Sequence, residues 1–290
     1  CSQVITKDPL IGSFVITWLA LTKLWGFSGF LKSVLLALFN TCITGQEASL
    51  AQCNMEVFTE VIESASNTEL DGVDFIGNTG ACCAGLSSGA IAMTNTRFIA
   101  NVATQGGGGG ASFSGPSSLQ DVTFERNVVM GPSGNGGGAN FFTTTVLSRV
   151  YFTGNLILSD DGQYFGHGAG ASFFAAATIR DSSFLSNTAS RFGGGVSAER
   201  AVTLTGSTFT GNRALRGGGF ALNNPANWDE LSRLTNNLFA GNTATSTIGS
   251  QLFFNMPNAS ARILHNTLVG AGSNPGAAIA IQQTTVNVTN

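Results

Sequence analysis

Residues 119–155 read LQDVTFERNVVMGPSGNGGGANFFTTTVLSRVYFTGN, a stretch that opens and closes on the same pattern. Phe124 is followed by Asn127 and Phe152 by Asn155, and each phenylalanine is preceded by a leucine five residues earlier, Leu119 and Leu147. Outward from this pair, Phe-x-x-Asn recurs at Phe75/Asn78, Phe98/Asn101, Phe184/Asn187, Phe209/Asn212 and Phe239/Asn242. Successive phenylalanines stand 23, 26, 28, 32, 25 and 30 residues apart, and Leu268 continues the series in degenerate form. Periods of about 20 to 50 residues are the mark of a solenoid.

A second motif falls between the copies: GAI at Gly89, GGAS ending at Ser112, GGAN ending at Asn140, GAS at Gly170, GGVS ending at Ser197, GGFA ending at Ala221 and GAAI at Gly276. From Gly110, Gly138, Gly170 and Gly195 to the next repeat phenylalanine is 14 residues each time. From the repeat asparagine to the same glycine the distance runs 9, 11, 15 and 8, so the length variation is confined to one loop. The residue five before each repeat position is apolar throughout: Leu70, Met93, Leu119, Leu147, Ile179, Leu204, Leu234 and Ile263. Apolar positions that recur once per coil imply a core stacked from successive windings.

These spacings predict an all-β fold, a right-handed parallel β-helix (β-solenoid) of about eight coils and roughly 40 Å in length at the strand spacing. Phenylalanines stack inside it, the asparagines form a buried amide ladder and take left-handed backbone angles at the bend, and the glycines serve another corner. Helical repeats are disfavoured, because the coils lack an i, i+3, i+4, i+7 stripe and each glycine pair would cost a helix roughly 2 kcal/mol.

Composition agrees. The 290 residues are 43% hydrophobic and 10% charged, with 38 glycines and 22 phenylalanines, against about 25% charged in an average domain. A net charge of −3 offers no basic field, so nucleic acid is not an expected partner. With two histidines, His167 and His265, a His-based triad or multi-His metal centre is not expected. No cofactor and no metal are expected.

Residues 61–290 form the predicted repeat domain, and residues 1–60 a separate apolar segment containing the runs Leu10 to Thr22 and Ser33 to Thr44. Neither run reaches the roughly 20 residues of a membrane span. The segment reads as a hydrophobic N-terminal cap or assembly segment, a secretory-signal remnant, or an anchor, and a chain starting at Cys1 also fits a lipoprotein. The five cysteines, Cys1, Cys42, Cys53, Cys82 and Cys83, lack C-x-x-C spacing. Cys42 and Cys53 are candidates for a disulfide, the alternative being free thiols, while adjacent Cys82 and Cys83 are too constrained to pair readily.

The tandem FxxN and GGA(I/L/V) motifs, over about Leu70 to Asn290, resemble the repeats of the chlamydial-type polymorphic outer membrane proteins and, more broadly, right-handed parallel β-helix surface proteins. The resemblance implies an adhesin or surface-layer passenger. The sequence departs from the family pattern in lacking a C-terminal membrane barrel, and it stops at Val286 to Asn290 as if within another coil, which fits a fragment or a subunit whose open end meets another chain.

β-Helices also carry polysaccharide lyases and hydrolases, whose sites need clustered carboxylates beside a basic residue. One column fits that description: Asn95, Asp121, Arg149 and Asp181, flanked by Gly72 and Gly206, each three residues before a repeat phenylalanine. An exposed ion-pair ladder reads the same letters. The longest variable loop, Leu156 to Gly168, concentrates Asp160, Asp161, Gln163, Tyr164 and His167, a candidate site for a cation or a glycan. A second insertion, Asn223 to Asp229, carries Trp228 as a candidate partner contact. The glycine run Gly106 to Gly110 lacks the Lys-Ser/Thr of a phosphate loop. The expectation is a non-enzymatic structural protein, extracellular or on the cell surface, that self-associates or meets another surface protein or a glycan. The alternatives are a polysaccharide-acting enzyme and a carbohydrate-binding passenger domain.

Overall fold

The computed structural model describes residues 68–131, 134–158, 166–223, 230–270 and 277–289. The apolar segment 1–60, with Cys42 and Cys53, lies outside the described residues. So do Asp160, Asp161, Gln163, Tyr164 and Trp228.

Every regular element among the described residues is a strand, and every pairing is parallel, so the chain winds as a β-solenoid. Each coil has four faces. The first carries nine strands, from Thr68–Asp71 to Thr285–Thr289; the second carries eight, from Asp74–Ile76 to Thr267–Val269; the fourth carries eight, from Leu86–Ser88 to Ile279–Gln282. The third is narrow and interrupted: four strands from Thr79–Gly80 to Leu156–Ile157, then single bridges through Thr188, then the pair Arg213–Arg216 with Thr243–Ile248. Eight strands on the second face make seven full turns between Phe75 and Leu268.

The register follows the sequence columns. Phe75, Phe98, Phe124, Phe152, Phe184, Phe209, Phe239 and Leu268 are successive partners on the second face. Their rings stack with centroids 4.5–5.0 Å apart, which is the strand spacing. Burying one such ring contributes about 1.5–3 kcal/mol. The predicted apolar column, Leu70 through Ile263, lines the inside of the first face, likewise in register. A second stack, Phe113, Phe141 and Phe173, fills the fourth face at 5.0 and 4.8 Å; each stands 11 residues before a repeat phenylalanine, a further regular column beside the two motifs.

The asparagines form one continuous ladder, running through Asn78, Asn101, Asn127, Asn155, Asn187, Asn212 and Asn242. From Asn78 to Asn212, each Nδ2 donates to Oδ1 of the asparagine in the next coil at 2.8–3.0 Å, and the backbone N–H of the same residue donates to that oxygen too. From Asn101 to Asn242, Nδ2 also donates to the phenylalanine carbonyl one coil back. The row does not depend on the third face. Beside Asn187 that face is reduced to the bridges through Thr188, yet Asn187 still accepts from Asn155 and donates to Asn212, each at 2.9 Å. Every buried amide of the row is therefore satisfied, as a dry interior requires. Beyond Asn242 the sequence has Ala271 at the position three after Leu268, and Gln251 closes the row by accepting from Asn242 at 2.5 Å and donating to the Val269 carbonyl at 3.0 Å.

Gln251 can do this because it stands in a column held by Gly85, Gly110, Gly138, Gly170, Gly195 and Gly219 in the six earlier coils and by Ala278 in the next. There the backbone passes so close to the interior that a Cβ on Gly138 would lie 2.5 Å from the Gly170 carbonyl oxygen and 2.8 Å from Cδ1 of Phe152. Where the repeat phenylalanine gives way to Leu268, the space opens for a side chain. Glycines and ladder together wall off a second small core of Ala103, Val129, Ile157, Ala169, Ala189 and Ala214.

Two sequence expectations are corrected here. The left-handed angle belongs not to the repeat asparagine but to the residue before it, so that Ser186 takes it and Asn187 does not; the others are Gly77, Ala100, Arg126, Gly154, Gly211 and Gly241. The asparagine's own N–H is committed to the ladder. Second, GAI at 89–91 is not a copy of the glycine motif, because Ile91 begins a first-face strand; the equivalent in that coil is Ala84-Gly85-Leu86, paired with Ala111.

Candidate functional site

The column of Asn95, Asp121, Arg149 and Asp181 sits at the corner between the first and second faces. All four have positive φ, 48°, 54°, 52° and 50°, as do Gly72, Gly206, Asn236 and His265 in the same column. Gly, Asn and Asp are the residues that tolerate this angle most readily, which accounts for most of the column without catalysis. Arg149 makes a two-pronged contact with Asp121, Nε to Oδ1 at 2.7 Å and Nη2 to Oδ2 at 2.8 Å. That contact holds the Asp121 carboxyl below, and the arginine above, their ordinary values. Asp181, one coil further on, leans the other way, its Oδ1 lying 2.5 Å from the position of a Cβ on Gly206. The arginine thus binds one carboxylate and separates it from the second.

The same coil-to-coil device recurs. Arg97 pairs with Asp74. Arg200 grips Glu230, whose other oxygen accepts the Ala201 N–H at 2.7 Å, and the two contacts lower the Glu230 carboxyl. Half-buried Glu199 is pushed the opposite way by desolvation.

In the long loop His167 is the one described candidate. It is half-buried against the wall: its N–H and that of Gly166 donate to Asn135 Oδ1 at 2.9 and 3.1 Å, its carbonyl accepts from Gly136, and its ring meets Phe192 edge-on at 4.9 Å. Beyond it, Phe192 and Phe253 pack with Ala221 on the outside of the fourth face, and the Arg216 guanidinium lies over both rings at 5.9 and 5.7 Å. Among the described residues, no three His, Cys, Asp or Glu side chains gather as a metal site.

One surface was not singled out by the sequence. In the fourth described coil Phe142, Val146 and Tyr151 are 48%, 43% and 44% exposed, at the corner before the first face, on the first face and on the second. Phe174 of the next coil stacks on Phe142 at 4.8 Å. Phe142 directly follows core residue Phe141, and what marks Phe141 as the inward one is its 11-residue offset to Phe152, shared by Phe113 and Phe173 with their own repeat phenylalanines.

The fold defines the class, a parallel β-solenoid. Compared with protein-family models, curated proteins and solved structures, the chain matches none.

Proposed function

We propose that this chain is a non-enzymatic structural protein displayed outside the cell or on its surface, a stiff β-solenoid spacer with an adhesive flank. The finer relationship we infer is to the chlamydial-type polymorphic outer membrane protein repeats, on the FxxN and glycine motifs.

The observation that supports this reading best is the apolar girdle of Phe142, Val146 and Tyr151 with Phe174 beside it. Apolar residues at a corner and on two of the four faces of one coil cannot fold inward, since the interior is already filled, and they lose water only by meeting another molecule. The Arg149 column supports it from the other side, because most of its residues, the Gly, Asn and Asp members, answer to backbone angle.

The test compares the wild-type chain with Phe142→Ser/Tyr151→Thr in two assays: self-association by sedimentation and negative-stain imaging, and binding to cells and a glycan array. Association or binding that the double substitution weakens about tenfold or more fits the girdle's apolar area. Cleavage of an acidic polysaccharide by the wild type, lost in Asp121→Asn, would replace this reading with the enzymatic one.

A further inference from the structure

Cys82 and Cys83 lie at the bend between the third and fourth faces of the first described coil, and both are free thiols. Adjacency argues against pairing, yet their Sγ atoms approach to 3.0 Å. Two features bring them together. Cys83 has φ 54°, in a column whose other members are Gly108, Gly136, Gly168, Gly193, Gly217 and Gly249, all at positive φ. A left-handed non-glycine residue costs roughly 1–2 kcal/mol, so this coil holds a strained cysteine where six others use glycine. Cys82 is exposed and is backed by Gly106 of the next coil, where a Cβ would fall 2.6 Å from the Cys82 Cβ.

We infer that Cys82 and Cys83 are a redox modification site that closes reversibly into a vicinal disulfide. The oxidant is a small-molecule disulfide such as oxidised glutathione. The exposed Cys82 thiolate attacks it, breaking its S–S bond, forming a mixed disulfide and releasing one thiolate. Cys83 then gives its proton to water and attacks Cys82 Sγ, expelling the second small thiolate. The two protein thiols lose two electrons and two protons, and the oxidant leaves as two thiols. Burial, with the Cys82 thiol beside it, pushes Cys83 up to about 12. Exposure makes Cys82 the attacking thiol and half-buried Cys83 the resolving one.

The test treats the full chain with oxidised glutathione, blocks remaining thiols under denaturing conditions and cleaves before aspartates. The fragment 74–120 contains Cys82 and Cys83 and no other cysteine. Wild type is expected to give this fragment two hydrogens lighter and unblocked. Cys83→Gly restores the column's usual residue, so the bend keeps its shape, and it is expected to hold glutathione on Cys82 at a level on the order of tenfold above wild type, because the intramolecular attacker is gone. Equal glutathione on both chains overturns the inference, and so does a wild-type fragment with both thiols blocked.

Discussion

A rung in the middle of the asparagine row has more to lose than one at its end. Removing the Asn155 side chain deprives the Asn127 backbone N–H and Nδ2 of their common acceptor and the Phe124 carbonyl of a donor, all in the dry interior. Each orphaned buried group costs about 1–3 kcal/mol, so Asn155→Ala is expected to destabilise by about 3–5 kcal/mol. Half-buried Asn78 gives up a single side-chain bond, to Asn101, and Asn78→Ala is expected to cost about 1 kcal/mol. Urea unfolding of both variants checks the ordering, and equal midpoints would refute it. That the asparagines stack was legible in the sequence, because one residue type recurred at a fixed distance from phenylalanine. The left-handed position was not, because its column mixes Gly, Ala, Arg and Ser, and asparagine, the residue best known for that angle, stands next door.

Between coils, ion pairs stitch the outside of corners whose shape the backbone already dictates. For Arg200 and Glu230 the linkage has a definite sign. The folded carboxyl lies below its ordinary 4.5, so its contribution is present above that value and is lost as pH falls through the folded one. Between pH 5 and 3 the unfolding midpoint of wild type is expected to drop more steeply than that of Glu230→Gln; parallel curves would remove the pair from the account. The candidate site was readable to a similar depth. Asp121 beside Arg149 followed from coil spacing, whereas the reason for their column, a turn of positive φ, is invisible in letters that equally spell a catalytic pair. A further corner column, Val73, Thr96, Val122, Val150, Ser182, Ser207, Asn237 and Asn266, escaped notice because it drifts from apolar to amide along the axis. Its polar end nonetheless bonds coil to coil, Ser207 N to Asn237 Oδ1 at 2.8 Å and Asn237 N to Asn266 Oδ1 at 2.9 Å.

In a stack whose coils touch only their neighbours, stability is a sum of local terms and loosening starts where those terms are weakest. The middle coils contribute two phenylalanine stacks and a full amide rung, whereas the later ones offer Leu268 in place of a stacked phenylalanine and Gln251 in place of a further asparagine rung. Amides in strands 260–264 and 285–289 are expected to exchange with deuterium at least about a hundredfold faster than those in 145–148 and 177–180. Uniform protection would mean that the stack opens as one unit.

The amide row also gives the molecule a sense of direction. From Asn78 to Asn212 one Nδ2–H of each residue aims at the next coil and every Oδ1 from Asn101 to Asn242 faces the coil before, while from Asn101 on the second Nδ2–H turns back to a phenylalanine carbonyl. Small dipoles so aligned reinforce one another instead of cancelling, as peptide units do along a helix. The rod is in effect a weak electret, partially negative at its Asn78 end and partially positive at its Gln251 end, and an ion drifting along its flank meets a graded potential that the net charge of −3 does not describe.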